Sequence, residues 1–511
     1  MRKSLVVAFL VACAAIAGCT KEPPSTEPAV LKSVAILVAD NADLISEDIN
    51  LEVAESMTAR VKGGPKGKTV VLSLTAGEND VIKANNTEVA GGKVSVTEYP
   101  VDITVTNSKS GLSAAYELKI GKILGITVAP VLQYAEANAE AGMANDINMA
   151  VSKEGTPYFS YLRKATVDGT TDKYNKLSVV KLNGAAMEKV GDYGFTDGSA
   201  RAAATPITLG FTSDNKPIVM FKGAQVANLI SVMQYSGSKW EFVGGEAGAT
   251  TKFTSSYGAP QFYINPTSKQ PGFFYTNSVG STDANYRNYC EATYTGSAWQ
   301  QNYSSLASFP KYGAKGGSDG MFYRGVTCNT SNAAYLVTSC NLYGYYVYKM
   351  TSAGWTAVVE NFCPQDEEYG IPTNLSVKAD GAGNVYVFAA SSKTAKMQVY
   401  KLNEEKKTLE TYGTQFTCTA ASAGSIKEQA AFAVAADGSM VCVLDGKFYA
   451  LNKNKQWELV ADLAITGTVK SDYFMDYTGA DTGVFAIMVQ DADKKNKIHV
   501  YSFRPEDDDL Q

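Results

Sequence analysis

Few residues in this chain of 511 could carry out chemistry, and it has only one histidine, His499. A single histidine excludes zinc and copper centres built from several histidines, and most two-metal hydrolases. It also argues against a Ser-His-Asp triad, because His499 lies inside a β-rich segment and would have to project from a strand. No Gly-x-Ser-x-Gly, P-loop or zinc-finger spacing is present. We therefore expect no metal and no cofactor.

Carboxylates remain as candidate catalytic groups, because a glycosidase needs only two Asp or Glu side chains. The acidic clusters are Asp366-Glu-Glu368 and Glu506-Asp-Asp-Asp509. The first is typical of a solvated loop between repeats, and the second is typical of an acidic tail. Asp-Gly pairs elsewhere are typical of hairpin corners. We therefore predict no catalytic residues, and a carboxylate-based glycosidase or lyase stays as an alternative.

Tyrosines are the remaining candidates, and the chain has 30 of them. Exposed aromatic faces can stack on sugars, but tyrosine is also a favoured strand residue that packs between sheets. Tyrosines in loops are therefore better placed to contact a ligand than Tyr346 or Tyr348, which lie within a predicted strand. The loop tyrosines that we take as candidate ligand-binding residues are Tyr257, Tyr303 and Tyr312.

A repeat of roughly 50 to 60 residues must position these side chains. Each unit has β-branched and aromatic runs between Gly, Asn, Asp and Ser turns, and amphipathic helical runs are missing. This period suits four short strands per unit, as in propeller blades. One slot recurs a few residues past a β-rich run and a polar turn, and it is occupied by Met187, Trp240, Trp299, Trp355, Leu409 and Trp457.

A second marker is a turn before an apolar strand in every unit. Asn, Asp and Gly tolerate the positive φ that tight hairpins need. Seven such turns predict seven copies of one hairpin, so we favour seven blades, with six or eight as alternatives. The turns lie at residues 153–157, 213–217, 267–272, 317–320, 380–384, 437–439 and 479–483.

Seven hairpins but six slots leave one outer strand missing. Residues 498–503 align with residues 345–350, which predicts that they form the third strand of the last blade. An unpaired sheet edge is a liability, so the missing strand should come from the other end of the domain. We predict that residues 126–133 supply it and close the ring.

The N-terminus predicts export and anchoring. Met1-Arg-Lys is followed by an apolar run and then by Ile16-Ala-Gly-Cys19, the organisation of a signal peptide. The run is shorter than the about 20 apolar residues of a spanning helix. Ile16-Ala-Gly-Cys19 resembles the bacterial lipobox, which implies that Cys19 is acylated and that several acyl chains anchor the protein stably. An ordinary secretory signal cleaved near Ala17 is the alternative.

Four segments are therefore predicted along the chain. Residues 1–18 are the lipoprotein signal peptide, and the proline-rich residues 19–30 are a flexible tether. Residues 31–122, about 90 residues, have the size and strand alternation of a small β-sandwich, and residues 123–511 form the propeller. The last two strands of the sandwich resemble the closing hairpin of immunoglobulin-like modules, although this block has no cysteine for the antibody-type disulfide. The fold class is all-β, an immunoglobulin-like sandwich followed by a propeller.

The cysteines of the predicted propeller leave their pairing open. Of the eight in the chain, all but Cys13 and Cys19 fall there, and six cysteines allow 15 pairings. Cys328 and Cys340 lie in one predicted blade and could bridge neighbouring strands. Buried thiols are the alternative, because cysteine is among the most buried residue types.

The order of lipobox, tether, sandwich and Trp-marked propeller resembles the surface lipoproteins of Bacteroidota, whose propellers are similar to the kelch or galactose-oxidase type. The Lys21-Glu22 pair after Cys19 is similar to the export signal of surface-exposed members. The resemblance implies an outer-membrane lipoprotein that faces the cell exterior. It does not imply the copper chemistry of galactose oxidase, because the histidine ligands are missing.

A net charge of −5 argues against nucleic acid as a partner. Together these features predict a membrane-anchored protein whose propeller binds a ligand without catalysis, with a glycan as the leading candidate. The alternatives are a protein-protein scaffold or adhesion protein and the carboxylate-based glycosidase or lyase. Fold alone does not choose among them.

Overall fold

The computed structural model describes residues 26–137, 142–166, 173–196, 207–223, 229–244, 253, 257–277, 286–303, 306, 324–340, 344–362, 372–391, 396–417 and 430–506. These residues are all-β, apart from one short helix, α1 (Val38–Asn41). They divide into two compact units, one of residues 26–125 together with Glu506 and one that spans Ile126–Pro505. Within the described ranges, no helix is long and apolar enough to span a membrane.

The first unit contains two sheets around one hydrophobic core. Its strands are β1 (Leu31–Ile36), β2 (Ile49–Leu51), β3 (Ser56–Val61), β4 (Val70–Ala76), β5 (Asp80–Ala84), β6 (Thr87–Glu88), β7 (Lys93–Val96), β8 (Val101–Asn107) and β9 (Ser113–Lys122). One sheet has the order β2-β1-β4-β7, and the other has the order β3-β9-β8-β5-β6 with β3 parallel to β9. Alternate residues point inward, as a half-buried strand requires, so that Leu72 of one sheet and Ile103 and Leu118 of the other share the core. The unit is a β-sandwich, and its relationship to immunoglobulin-like modules stays a prediction.

The second unit begins with β10 (Ile126–Tyr134). Blade one contains β11 (Met143–Val151), β12 (Pro157–Thr166), β13 (Lys173–Asn183) and β14 (Ala186–Lys189); blade two contains β15 (Thr208–Phe211), β16 (Pro217–Gly223), β17 (Leu229–Tyr235) and β18 (Trp240–Phe242). Blade three contains β19 (Tyr257–Ile264), β20 (Pro271–Thr276), β21 (Tyr289–Tyr294) and β22 (Trp299–Asn302); blade four contains β23 (Arg324–Asn329), β24 (Ala334–Cys340), β25 (Gly344–Thr351) and β26 (Gly354–Phe362).

Blade five contains β27 (Pro372–Ala379), β28 (Val385–Ser391), β29 (Lys396–Asn403), β30 (Thr408–Thr411) and the short β31 (Phe416–Thr417). Blade six contains β32 (Ala430–Val434), β33 (Met440–Leu444), β34 (Lys447–Leu451) and β35 (Trp457–Asp462). Blade seven contains β36 (Thr468–Val469), β37 (Phe474–Tyr477), β38 (Gly483–Gln490) and β39 (Asn496–Pro505).

The inner strands of these blades form a closed ring. Neighbouring inner strands contact one another in the cyclic order β11, β15, β19, β23, β27, β32, β37 and back to β11. Within each blade the strands pair antiparallel from the inner strand outward. The described residues thus form seven blades, which confirms the seven-bladed prediction.

The ring is closed by the strand that the sequence predicts. β10 pairs antiparallel with β39, with Val128 opposite Phe503 and Gln133 opposite His499. β10 is therefore the outer strand of blade seven, next to its third strand. The pairing covers a sheet edge that would otherwise present unpaired backbone groups. Blade seven is therefore built from strands at both ends of the second unit.

The recurring slot identified in the sequence lies in the outer strand of blades one to six. The indole Nε1 of Trp240 donates a hydrogen bond to the Val190 carbonyl at 2.7 Å, and that of Trp299 donates to the Val243 carbonyl at 2.9 Å. Each acceptor directly follows the outer strand of the preceding blade. Tryptophan in this slot therefore joins consecutive blades through an apolar ring and a polar N–H.

One predicted hairpin is wrong. The sequence predicts a turn at residues 317–320 before Met321, but the first hairpin of blade four joins β23 to β24 through residues 330–333. Residues 317–321 lie outside the described residues. The observed turn has no glycine or proline, and the Thr330 hydroxyl accepts a hydrogen bond from the Ala333 N–H at 3.1 Å. A side-chain hydroxyl therefore stabilises this turn, which contains Ser331 and Asn332.

Of the two alternatives for Cys328, a bridge to Cys340 or a free thiol, the structure has the free thiol. Cys328 lies opposite Tyr335 on the neighbouring strand. Cys340 is five residues further along that strand, about 16 Å for extended chain, whereas a disulfide needs Cα atoms within about 7 Å. Burial raises the pKa of Cys328 to about 12, and the positive charge of Lys378 partly offsets this.

Cys328 should therefore resist alkylation by iodoacetamide in the native protein at pH 8. The thiolate is the reactive form, and with a pKa of about 12 only about one thiol in 10,000 is ionised at that pH. Mass spectrometry should find Cys328 unmodified after native labelling and modified after labelling in denaturant. Rapid labelling of the native protein would contradict the buried environment of this thiol.

A buried lysine lies between blades two and three. Lys222 is 6% exposed, and its Nζ has no hydrogen-bond partner among the described residues. It lies on the same face of β16 as Ile218 and Met220, which pack against blade three. Burial lowers the pKa of Lys222 from 10.5 to about 8, because an ammonium group loses its hydration there.

Replacing Lys222 by methionine should raise the free energy of unfolding at pH 7 by about 1 to 3 kcal/mol, because an apolar chain replaces an unpaired ammonium. The folded-state pKa lies below the unfolded value, so the unfolded chain binds more protons between pH 8 and 10.5. Stability of the wild type therefore rises with pH through that window, and the gain from Lys222→Met should shrink. Urea unfolding of both proteins at pH 7 and near pH 10 measures this. A loss of stability at pH 7 would show that the ammonium makes a favourable contact.

Candidate functional site

A cavity of about 200 Å³ lies inside the ring of inner strands. Its wall comes from blades five, six, seven and one, that is, from β27, β32, β37 with the residues just before it, and β11. The polar lining residues are Ser376, Lys378, Asp472, Tyr473 and Asp476, and the apolar ones are Met149, Leu375, Ala430, Ala431, Phe432, Phe474 and Met475. The cavity therefore combines convergent polar groups with apolar surface, which is the usual composition of a ligand site.

The inner strand of blade six explains why the cavity lies on this side of the ring. β32 has the sequence Ala430-Ala-Phe-Ala-Val434. Phe432 packs toward blade five, where its ring centroid is 5.4 Å from that of Phe388, and the alternate residues Ala431 and Ala433 pack toward blade seven. Because protein interiors are close-packed, these small side chains leave space that larger ones would fill.

An ion pair spans blade six at this point. Lys378 Nζ of blade five lies 2.7 Å from Asp476 Oδ2 of blade seven. Both residues hold the penultimate paired position of their inner strands, and in blade six that position is Ala433. The methyl group of alanine lets the long lysine side chain pass to the carboxylate.

The charges of this pair remain accessible. The Lys378 side chain is 25% exposed and that of Asp476 is 34% exposed, so the pair itself contributes only about 0 to 1 kcal/mol to stability. The Tyr477 N–H donates to Asp476 Oδ1 at 3.0 Å and orients the carboxylate. Burial raises the pKa of Tyr473 above its usual range, so its hydroxyl stays neutral. The cavity therefore offers an ammonium donor and carboxylate acceptors.

Turns at the ends of the inner strands fix the blades that line the cavity. The Gly381 N–H of blade five donates to the Ala436 carbonyl of blade six at 2.9 Å. Gly155 of blade one has a φ of +80°, and an added Cβ would lie 1.9 Å from the Thr478 carbonyl oxygen of blade seven. Backbone of one blade thus touches backbone of the next, which holds the inner strands in register around the cavity.

Of the three tyrosines predicted to bind ligand, Tyr303 is the one whose side chain is described, and it does not line this cavity. Tyr303 follows β22, the outer strand of blade three, and is 41% exposed. Tyr257 is the first residue of β19, so its predicted loop placement is wrong, and its side chain lies outside the described part of the structure. Tyr312, Cys19 and residues 366–368 also lie outside the described residues.

His499 is likewise remote from the cavity lining. It lies on β39, the third strand of blade seven, opposite Ile487 and Gln133. Burial lowers the pKa of His499, so the ring is held neutral in the sheet. In the portion of the chain that is described, no three His, Cys, Asp or Glu side chains are grouped to hold a metal ion.

Sequence reasoning missed Lys378, Asp472 and Asp476. For Lys378 and Asp476 a signal was present, because a charged residue at the penultimate position of an inner strand is unusual among the seven blades. Reading that signal requires the inner strands to be aligned correctly, and the unrecognised turn of blade four obscured the alignment. The corresponding residues in the other blades are Ala150, Gly210, Tyr263, Cys328 and Ala433.

No protein-family model and no curated protein matches the chain. Solved structures are similar to it at low identity. A protein of unknown function from Dyadobacter fermentans is 9% identical with a TM-score of 0.39, over 74% of this chain and 99% of that one. An α-L-arabinofuranosidase of Fusarium graminearum, solved with an iminosugar inhibitor, is 12% identical with a TM-score of 0.38, over 74% and 97%. The Aleuria aurantia lectin, solved with Fucα1-6GlcNAc, is 12% identical with a TM-score of 0.37, over 63% and 97%. Function must be argued from the site itself.

Proposed function

We propose that the propeller binds a glycan in this cavity without cleaving it. The observation that supports the proposal most directly is the Lys378–Asp476 pair beside the apolar wall formed by Phe474 and Met475. Sugar hydroxyls both donate and accept hydrogen bonds, and hydrogen bonds to charged groups are the stronger ones. The C–H faces of a sugar ring pack on apolar side chains. The cavity offers both kinds of contact.

A glycosidase is the second candidate, because Asp472 and Asp476 line the same cavity. A glycosidase needs two carboxyl groups roughly 5 to 10 Å apart. Asp476 is engaged by Lys378 at 2.7 Å, while a glycosidase needs one carboxyl group that can donate a proton. This ion pair favours binding over hydrolysis.

A scaffold for protein partners receives less support. Docking surfaces are contiguous apolar patches. Among the described propeller residues, the exposed large hydrophobic side chains are Tyr303 on blade three and Leu459 on blade six. Two side chains on separate blades do not make a patch.

We also propose that Cys19 anchors the protein as a lipoprotein at the outer membrane, facing outward. The Ile16-Ala-Gly-Cys19 motif supports this. Metabolic labelling with a fatty acid should mark the wild type, and Cys19→Ala should lose the label and leave the membrane fraction. Digestion of the protein by protease added to intact cells would support outward exposure, and protection from it would argue for a periplasmic location.

A glycan array probed with the full chain in detergent tests the proposed function, read together with release of products from the same polysaccharides. Binding without release supports the proposal. Release of oligosaccharides would establish the glycosidase instead. The absence of both binding and release would contradict the proposal and favour a protein partner.

A further inference from the structure

We infer that the ligand of the cavity presents two neighbouring, unsubstituted hydroxyl groups that lie gauche on one sugar ring, and that Lys378 and Asp476 bind these two groups together. The inference rests on the proposed function and specifies which glycans the same site takes. It is argued from the spacing of the ion pair, from the hydrogen-bonding capacity that the pair retains, and from the way the pair is held.

The spacing of the pair matches such hydroxyl groups. Lys378 Nζ and Asp476 Oδ2 lie 2.7 Å apart, which is within the usual range for two hydrogen-bonded atoms. Two neighbouring hydroxyl groups that lie gauche on a ring have their oxygens about equally far apart. One of them can donate to the carboxylate while the other accepts from the ammonium, so that the two hydrogen bonds form side by side. Neighbouring hydroxyl groups that point to opposite faces of a ring are too far apart for this, and only one of them can be bound.

The pair retains capacity for both hydrogen bonds. An ammonium group has three donors, and a carboxylate has about four acceptor positions. Among the described residues, the Lys378 ammonium donates to Asp476 Oδ2, and Asp476 Oδ1 accepts from the Tyr477 N–H at 3.0 Å. The side chains of the pair are 25% and 34% exposed, and both line the cavity. The remaining donors and acceptor positions are therefore within reach of a ligand in the cavity.

The pair is held in place before a ligand arrives. Lys378 lies on β27 and Asp476 on β37, each at the penultimate paired position of its inner strand, and the Tyr477 N–H orients the carboxylate. Ordering the two side chains on binding therefore costs little. Phe474, two residues before Asp476 on the same strand, also lines the cavity. The C–H groups of the ring that carries the two hydroxyl groups can pack on Phe474.

Three anhydro sugars test the inference, because their bridged rings cannot flip. In 1,6-anhydroglucose every two neighbouring hydroxyl groups point to opposite faces of the ring. In contrast, 1,6-anhydromannose and 1,6-anhydrogalactose each differ from it at one carbon and each have one gauche pair. Titration of the full chain with each sugar, followed by saturation-transfer NMR, measures the three affinities. We expect at least one of the two sugars with a gauche pair to bind at least about ten times more tightly than 1,6-anhydroglucose, because it makes a second hydrogen bond to a charged group.

Two variants assign this preference to the ion pair. Lys378→Met removes the ammonium and leaves a site for one hydroxyl group, so this variant should bind all three sugars no more tightly than the wild type binds 1,6-anhydroglucose. Lys349→Met breaks the ion pair of Lys349 with Glu404, which joins two blades outside the cavity lining. It should keep the preference of the wild type.

Four results would overturn the inference while leaving the proposed function intact. The three sugars could bind the wild type equally well, or none of them could bind although glycans bind on the array. Lys378→Met could keep the preference for a gauche pair, or Lys349→Met could lose it to the same extent as Lys378→Met. The absence of glycan binding on the array would instead contradict the proposed function, and the inference with it.

Discussion

Replacing Gly155 by alanine should lower the free energy of unfolding by about 3 kcal/mol or more. The φ of +80° disfavours any side chain, and the new Cβ would lie 1.9 Å from the Thr478 carbonyl oxygen. That oxygen belongs to backbone, so it cannot rotate away as a flexible side chain would. Blade one and blade seven meet at this contact, and the substitution should therefore loosen the ring. Denaturant unfolding of the purified protein measures the effect.

Gly184→Ala is the matched control for this substitution. Gly184 also lies in a turn of blade one, with a φ of +59°, but an added Cβ would have nothing within 4 Å. Gly184→Ala should lower the free energy of unfolding by about 1 kcal/mol, which is the effect of the left-handed backbone conformation alone. Equal losses for the two variants would show that the contact between blades one and seven contributes nothing to stability.

Replacing Lys378 by methionine should weaken glycan binding about 10- to 100-fold, because a hydrogen bond to a charged group contributes about 1.5 to 3 kcal/mol. Methionine keeps the length of the side chain while removing the ammonium. Stability should change by no more than about 1 kcal/mol, since the ion pair is partly exposed. Titration calorimetry with the array glycan gives the affinity, and denaturant unfolding gives the stability.

Lys349→Met is the control for this substitution, because it removes an ion pair between two blades at a position outside the cavity lining. Lys349 lies 2.8 Å from Glu404, with side chains 28% and 40% exposed, which closely matches the Lys378–Asp476 pair. It joins blades four and five away from the cavity lining. We expect unchanged glycan affinity for this variant. Similar losses in both variants would mean that the ammonium of Lys378 does not contact the ligand.

The propeller could be predicted from sequence because its determinants are local and repeated. Trp240 and Trp299 sit in equivalent outer strands, and each anchors to the blade before it. The closing strand could be predicted because an incomplete last blade requires a partner, and β10 supplies it opposite β39. Each of these signals lies within one repeat unit or follows from counting the units.

The cavity could not be predicted in the same way, because it depends on contacts between blades. Lys378 and Asp476 are separated by 98 residues, and they meet across blade six, whose residue at the same strand position is Ala433. The first hairpin of blade four was also missed in the sequence. Its turn contains no glycine or proline and is stabilised by the Thr330 hydroxyl. The sequence has many tyrosines, which made them the candidates, but the ion pair in the cavity wall is formed by Lys378 and Asp476 of two inner strands.

A structure of the protein bound to the glycan that it captures on the array would test the central claim most directly. The account predicts an intact glycan with a sugar residue in the cavity lined by β27, β32 and β37, and with hydroxyl groups bonded to Lys378 and Asp476. A glycan bound outside the ring of inner strands, or a cleaved product inside it, would contradict the account.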